Sequence, residues 1–192
     1  MDANPSHFDK LSEGMAASVA SLAAFEIQYA LIGGLATSLR SQPRFTKDID
    51  FLLKIPSLVL PGLLEDLLSR GFTFDLMTVV REWNQRQMVV MSYQGVRVDW
   101  LKPILPTYQH ILDRATEEIS DAGPIQVATI EGLILLKLIA FRPQDLLDID
   151  NLLAACEKSL DLPWIQSEWR SITSIDDPRM RWFETKLATD VT

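Results

Sequence analysis

The chain is poor in cysteine and histidine, with one cysteine, Cys156, and two histidines, His7 and His110, in 192 residues. A single cysteine excludes an internal disulfide and any Cys-rich zinc site, and the two histidines have no ligand-like spacing. There is no run of about 18 apolar residues of the kind a membrane helix needs. The opening segment, MDANPSHFDKLSEGM, lacks a basic stretch followed by an apolar core, so neither export nor membrane spanning is expected and the chain reads as cytoplasmic. Positive charge is also scarce: 18 Lys and Arg against 26 Asp and Glu leave a net charge of −8, with a pI near 4.7. General coating of nucleic acid is therefore excluded, because Lys and Arg supply that affinity. Any nucleotide contact must be local. What the chain does have is 47% hydrophobic residues, in a length that buries well over half of its unfolded surface without a disulfide or structural metal. No repeat, low-complexity tract or linker interrupts it, which predicts one domain over residues 1–192: an N-terminal helix (1–25), a sheet core (26–128) and a helical C-terminal part (129–192).

Hydrophobic spacing supplies the elements. Phe8, Leu11, Met15, Val19 and Leu22 recur at steps of three and four, the period of a helix with one buried stripe. The run Ile27 to Ile32 reads as a strand stopping at Gly33-Gly34, with Leu35 to Arg40 helical after it. Lys47 to Leu53 is a second strand, closed by Pro56. Leu58 to Arg70 is a helix ended by Gly71, and Phe72 to Leu76 a short strand. Gln87 to Ser92 and Val96 to Leu101 flank a turn containing Gly95, a hairpin pattern. Tyr108 to Ile119 reads as a helix, Ile125 to Ala128 as a strand, and Ile130 to Phe141 and Gln144 to Cys156 as helices separated by Arg142-Pro143. Pro163 to Leu187, with Trp164, Trp169 and Trp182, reads as one or two helices packing back on the body. The fold class expected is α/β, a small mixed sheet with helices on one side and a helical C-terminal segment.

Two places carry potential chemistry. Asp48 and Asp50 stand two apart on a strand, so their side chains share a face, roughly 6–7 Å apart at the backbone. Their repulsion calls for a partner, and a divalent cation removes it. Asp99, in the later strand VRVDWL, is a third carboxylate that a sheet brings beside the pair, close enough to share cations about 3.5–4 Å apart. Oxygen ligands without a histidine or cysteine cluster suit a hard cation such as Mg²⁺ or Mn²⁺, and not zinc. The second place is Gly33-Gly34, where glycine permits close approach of an anion and freed helix amides supply donors for phosphate. Taken singly, a Gly-Gly after a strand is a plain turn, Asp-x-Asp a solvated edge, and Lys137 a snorkelling lysine over the core. It is the order that matters: strand, Gly-Gly, helix, thirteen residues between Gly34 and Asp48, then Asp-x-Asp.

That order resembles the nucleotidyltransferase superfamily of DNA polymerase beta. It is most similar to the AbiEii-type minimal nucleotidyltransferases of toxin–antitoxin and abortive-infection systems. The resemblance rests on LIGGLA (31–36), RFTKDID (44–50) and EGLILLKLIAFRPQDLLDI (131–149). It implies binding of two Mg²⁺ or Mn²⁺ ions, and catalysis, by Asp48, Asp50 and Asp99, with Asp99 receiving the nucleophile's proton. It further implies a triphosphate on Gly33, Gly34 and Ser38, and a nucleotide site completed by Lys137 and Asp148. Arg44 and Lys47, on the loop before Asp48, are placed to reach the β- and γ-phosphates. The implied activity is transfer of a nucleoside monophosphate from an NTP to an acceptor hydroxyl on RNA or tRNA, a protein or a small molecule. A cognate antitoxin or toxin is the implied protein partner. The alternative is a non-catalytic antitoxin or regulatory interaction protein that keeps the fold.

Overall fold

The computed structural model describes residues 6–86, 88–120, 123–156 and 160–189. Helix α1 (His7–Ala24) starts at a reciprocal cap in which the Ser6 hydroxyl accepts from the Asp9 amide and the Asp9 carboxylate accepts from the Ser6 amide. Strand β1 (Gln28–Ile32) leads without a loop into α2 (Gly33–Arg40). Strand β2 (Asp48–Lys54), α3 (Leu60–Ser69), β3 (Phe72–Thr73), α4 (Leu76–Gln85), β4 (Met88–Tyr93) and β5 (Val96–Leu101) follow, then α5 (Pro106–Asp113), β6 (Thr116–Ser120) and β7 (Gly123–Val127). The C-terminal part is α6 (Ile130–Ala140), α7 (Pro143–Ala155), α8 (Leu162–Ile172) and α9 (Pro178–Thr189). Gln87, the expected first residue of the β4 segment, lies outside the described residues.

The strands form one mixed sheet in the order β3-β4-β5-β2-β1-β7-β6. Its centre is β2, antiparallel to β1 and parallel to β5. Alternation sorts the β2 side chains. Ile49 and Phe51, aligned with Val98 and Trp100 of β5, face α1 and α4: a Cβ on Gly14 of α1 would stand 3.3 Å from the Ile49 side chain, and Trp83 of α4 meets Trp100 edge to face at 6.2 Å. Asp48 and Asp50, aligned with Arg97 and Asp99, take the opposite face. That face is not bare, since α6 residues Leu133, Leu136 and Lys137 line the same cleft as the aspartates. Helices therefore flank both faces, where one side was expected.

Two elements differ from the sequence expectation. The expected helix over 108–119 ends at Asp113, and residues 116–120 instead pair with β7 as an edge hairpin, Glu118 opposite Ile125. Pairing decides that strand, because its residues carry no apolar stripe that would hold a helix to the core. The expected strand over 72–76 is only two residues long, and the chain continues as helix α4, absent from the sequence expectation. The Asp75 side chain caps it by accepting from the Thr78 amide at 2.8 Å, and Val79 and Trp83, one turn apart, are buried.

Candidate active site

The ends of β1, β2 and β5 open into a cleft of about 730 Å³ whose lining includes Gly33, Gly34, Asp48, Asp50, Asp99 and Lys137. Parallel pairing sets Asp50 opposite Asp99, and antiparallel pairing sets Asp50 opposite Ile32, immediately before the glycines. Gly33 adopts φ +65°, and a side chain there would overlap the Asp50 carboxylate. Glycine is thus required both for the left-handed backbone and for its close approach to the acid. A Cβ on Gly34 would meet Thr46 Oγ1 at 2.6 Å and Arg44 Nη2 at 2.9 Å, so this glycine also seats the loop that precedes β2. The N-terminus of α2 has no side-chain cap, and both glycines of its first turn line the cleft.

The carboxylates are unequal. Burial, with the charges of Asp99 and Asp48, pushes Asp50 up to about 6 despite the opposing pull of Lys137 and Arg97. Asp99 has a partner: Arg97 Nε donates to Oδ1 at 2.7 Å and Nη2 to Oδ2 at 2.8 Å. Both oxygens of Asp99 are therefore engaged within its own strand. The three aspartates share a face and a cleft, yet among the described residues no three His, Cys, Asp or Glu side chains stand together as an ion-holding group. In donor chemistry the set still fits a hard divalent ion, being three carboxylates, one of them raised by burial and by the charges of the other two.

Beneath the cleft lies a second charged group. The Asp148 carboxylate, fully buried, accepts from Lys137 Nζ at 2.5 Å, from Gln144 Nε2 at 3.2 Å and from Arg44 Nη2 at 2.9 Å. Arg44 Nε adds an ion-pair contact to Oδ1 at 2.7 Å that lacks hydrogen-bond alignment. Burial alone would raise the Asp148 carboxyl, but the bonds and charges of Lys137, Gln144 and Arg44 hold it below the ordinary value. Asp145 reaches Lys137 from the next turn at 3.7 Å.

Of the residues singled out from sequence, Gly33, Gly34, Arg44, Lys47, Asp48, Asp50, Asp99 and Lys137 line the cleft. Ser38 and Asp148 do not. The Ser38 hydroxyl bonds Gly34 O and Arg44 O and receives the Arg44 amide at 3.2 Å, fastening the loop instead of facing a triphosphate. Asp148 acts from behind, through Lys137 and Arg44. Sequence reading missed Arg97, although Arg97-x-Asp99 has the same two-residue parity that identified Asp48-x-Asp50.

The strand, glycine, helix and carboxylate arrangement defines a nucleotidyltransferase-like protein, and solved structures share its fold. A nucleotidyltransferase-like antigenic protein from Paracoccidioides brasiliensis matches with TM-score 0.51 and 14% identity, over 93% of this chain and 88% of that one. The solution structure of the antibiotic-resistance factor ANT(2'')-Ia matches with TM-score 0.53 and 13% identity, over 95% and 98%. Its crystal structure with adenylyl-2''-tobramycin matches with TM-score 0.53 and 15% identity, over 82% and 94%. No curated protein matches the sequence. The family described as "Nucleotidyl transferase AbiEii toxin, Type IV TA system" matches residues 15–171, and the chain belongs to that family. It is a nucleotidyltransferase of the type IV toxin–antitoxin class. Among the described residues no helix is long and apolar enough to cross a membrane.

Proposed function

We propose that the chain transfers a nucleoside monophosphate from an NTP to an acceptor hydroxyl in the cleft, with Asp48, Asp50 and Asp99 as ligands for Mg²⁺ or Mn²⁺. The observation that carries this reading is the register Ile32–Asp50–Asp99 across three adjacent strands. It sets two of the acids directly beneath the glycine turn. Gly33 and Gly34 present the uncapped first turn of α2 to the triphosphate, while Arg44, Lys47 and Lys137 supply compensating charge along the lining. The bound metal would lower the pKa of the acceptor hydroxyl and stabilise charge on the leaving pyrophosphate. The acceptor oxygen bonds the α-phosphorus as the bond to the bridging oxygen breaks, and Asp99 takes the hydroxyl proton. Asp148 fixes Lys137 and Arg44 in position. The membership in a toxin family supports a cognate antitoxin as partner.

The test is incorporation of label from α-³²P-NTPs, with Mg²⁺ or Mn²⁺, into total RNA, protein extract and small hydroxylated molecules in parallel. The last arm is included because ANT(2'')-Ia shares the fold and its complex holds adenylyl-2''-tobramycin. Label is expected in one arm, dependent on metal, and lost in Asp48→Asn with the circular dichroism spectrum unchanged. No label in any arm, from a folded protein that binds a neighbour-encoded partner tightly, would replace the enzymatic reading with the interaction-protein one.

A further inference from the structure

Arg97 stands two residues before Asp99 on β5, opposite Asp48, with its side chain about half exposed and that of Asp99 13% exposed. Its guanidinium grips both Asp99 oxygens in the fork geometry that makes arginine–carboxylate pairs strong and directional. A carboxylate held this way has a lone pair on each oxygen committed to the guanidinium and its orientation fixed by it. Asp50, across the strand boundary, is buried and feels the charges of Asp99 and Asp48, offset only in part by Lys137 and Arg97. The cleft thus holds an internal cation on the one acid that the proposed metal site is missing.

We infer that Arg97 is a latch: it occupies Asp99 in the free protein and must release it before a divalent cation gains its third carboxylate. The inference rests on the metal reading above. The latch sets apparent metal affinity, because the intrinsic affinity is reduced by the fraction of molecules in which Asp99 is free. Arg97 lines the cleft, so a triphosphate entering the proposed site offers its guanidinium a replacement anion of equal or greater charge. Metal and nucleotide binding are therefore coupled through one side chain. Metal alone binds weakly, and the triphosphate strengthens it by drawing Arg97 off Asp99. Arg97 is on this account a positioning residue, acting through Asp99.

The experiment is Mn²⁺ binding to the full chain, followed by electron paramagnetic resonance of the free ion, without nucleotide and then with a non-hydrolysable ATP analogue. Arg97→Met is expected to bind Mn²⁺ alone at least roughly tenfold more tightly than the parent, with the nucleotide's enhancement of metal affinity reduced. Arg97→Lys keeps the charge but loses the two-pronged grip, and is expected between the two. Removing a positive charge also favours a cation at long range, so the same substitution is made in Asp99→Asn, where the grip on a charged carboxylate no longer exists. Loss of the tenfold gain in that background supports the latch. Persistence of the gain there assigns it to charge alone and overturns the latch, as does equal Mn²⁺ affinity of Arg97→Met and parent. Absence of Mn²⁺ binding in every variant overturns the metal site itself, and the latch with it.

Discussion

Two charged groups a few residues apart in the fold are built on opposite principles. Under the cleft, Asp148 is surrounded by Lys137, Arg44 and Gln144, all donating to it, and its carboxyl is held below the ordinary range. On the cleft floor, burial and the charges of two other aspartates push Asp50 up to about 6. The first group is a completed ion network, in which each buried charge meets its complement and helices α6 and α7 are locked to the loop before β2. The second sets three carboxylates against the single forked Arg97 and the nearby Lys137, where the surface opens into the cleft. The contrast between a fully bonded aspartate in one place and a raised one beside a glycine turn agrees with the ligand role proposed for the second. Burial raises the carboxyl at both places, and the two acids differ in the donors that meet it.

The largest effect that would break this contrast is on Asp148. Asp148→Ala leaves Lys137, itself only 5% exposed, and Arg44 without their shared anion, and is expected to cost about 3–5 kcal/mol of stability in urea unfolding. Pairing it with Lys137→Met should recover much of that loss, because the uncompensated charge is removed together with its partner. An unfolding midpoint that does not move in Asp148→Ala would mean that the network is wet and weak, and the distinction between the two groups would fail.

The next effect has the opposite sign. The Asp50 carboxyl is raised in the folded protein from 3.8 to about 6, so between those values the native state binds its proton more tightly than the unfolded chain. Stability is therefore fully supported below the unfolded value and declines as pH rises through the window from about 4 to 6. The displacement corresponds to a loss on the order of 2–3 kcal/mol when complete. Asp148, with its lowered pKa, works the other way: its contribution is present above about 4 and is lost as pH falls below that. A melting-temperature profile against pH should accordingly rise toward 4 and descend toward 6. Asp50→Asn should flatten the descending limb and raise stability at neutral pH, while abolishing nucleotidyl transfer. Mg²⁺ or Mn²⁺ should flatten the same limb in the parent. A limb that survives Asp50→Asn would place the repulsion elsewhere.

Both groups were partly legible before any coordinates. Strand parity put Asp48 and Asp50 on one face, and the run from Ile27 through Gly33-Gly34 to Arg40 foretold strand, glycine and helix, with α2 in fact beginning at Gly33 itself. The same parity applied to Arg97 and Asp99, but it says only that two side chains share a face. That the guanidinium closes on both oxygens depends on rotamers and on Asp50 standing alongside, which spacing does not encode. Helix α4 was readable, with Leu76, Val79, Val80 and Trp83 at helical steps behind a capping Asp75; the preceding Phe72-Thr73-Phe74 alternation masked its start. Strand β6 was not readable, because Thr116 to Ser120 has the polar composition of a solvated helix end. It becomes a strand by pairing along one side to β7 at the sheet edge. The position of Asp148 behind the cleft was likewise beyond the sequence, since a helix period fixes the face of α7 but not which side of Lys137 that face meets.

The smallest effect sharpens the boundary between the two groups. Ser38 lies one helical turn from Gly34, the position from which a hydroxyl would reach a phosphate at the start of α2, and yet it is engaged with the loop. Its oxygen receives the Arg44 amide and lies 3.1 Å from Gly34 O. Removing that hydroxyl in Ser38→Ala frees one amide and one side chain's hold on the loop, a loss of roughly 1 kcal/mol in stability. Because the loop carries Arg44 to Asp148 on one side and Lys47 to the cleft on the other, loosening it should be felt as stability. NTP affinity by calorimetry should stay within about twofold of the parent, well under the roughly tenfold drop expected where a direct phosphate hydrogen bond worth about 1.5 kcal/mol is lost. A tenfold loss of NTP affinity with an unchanged melting temperature would return Ser38 to the triphosphate site. The line between the satisfied network and the open floor would then run on its other side.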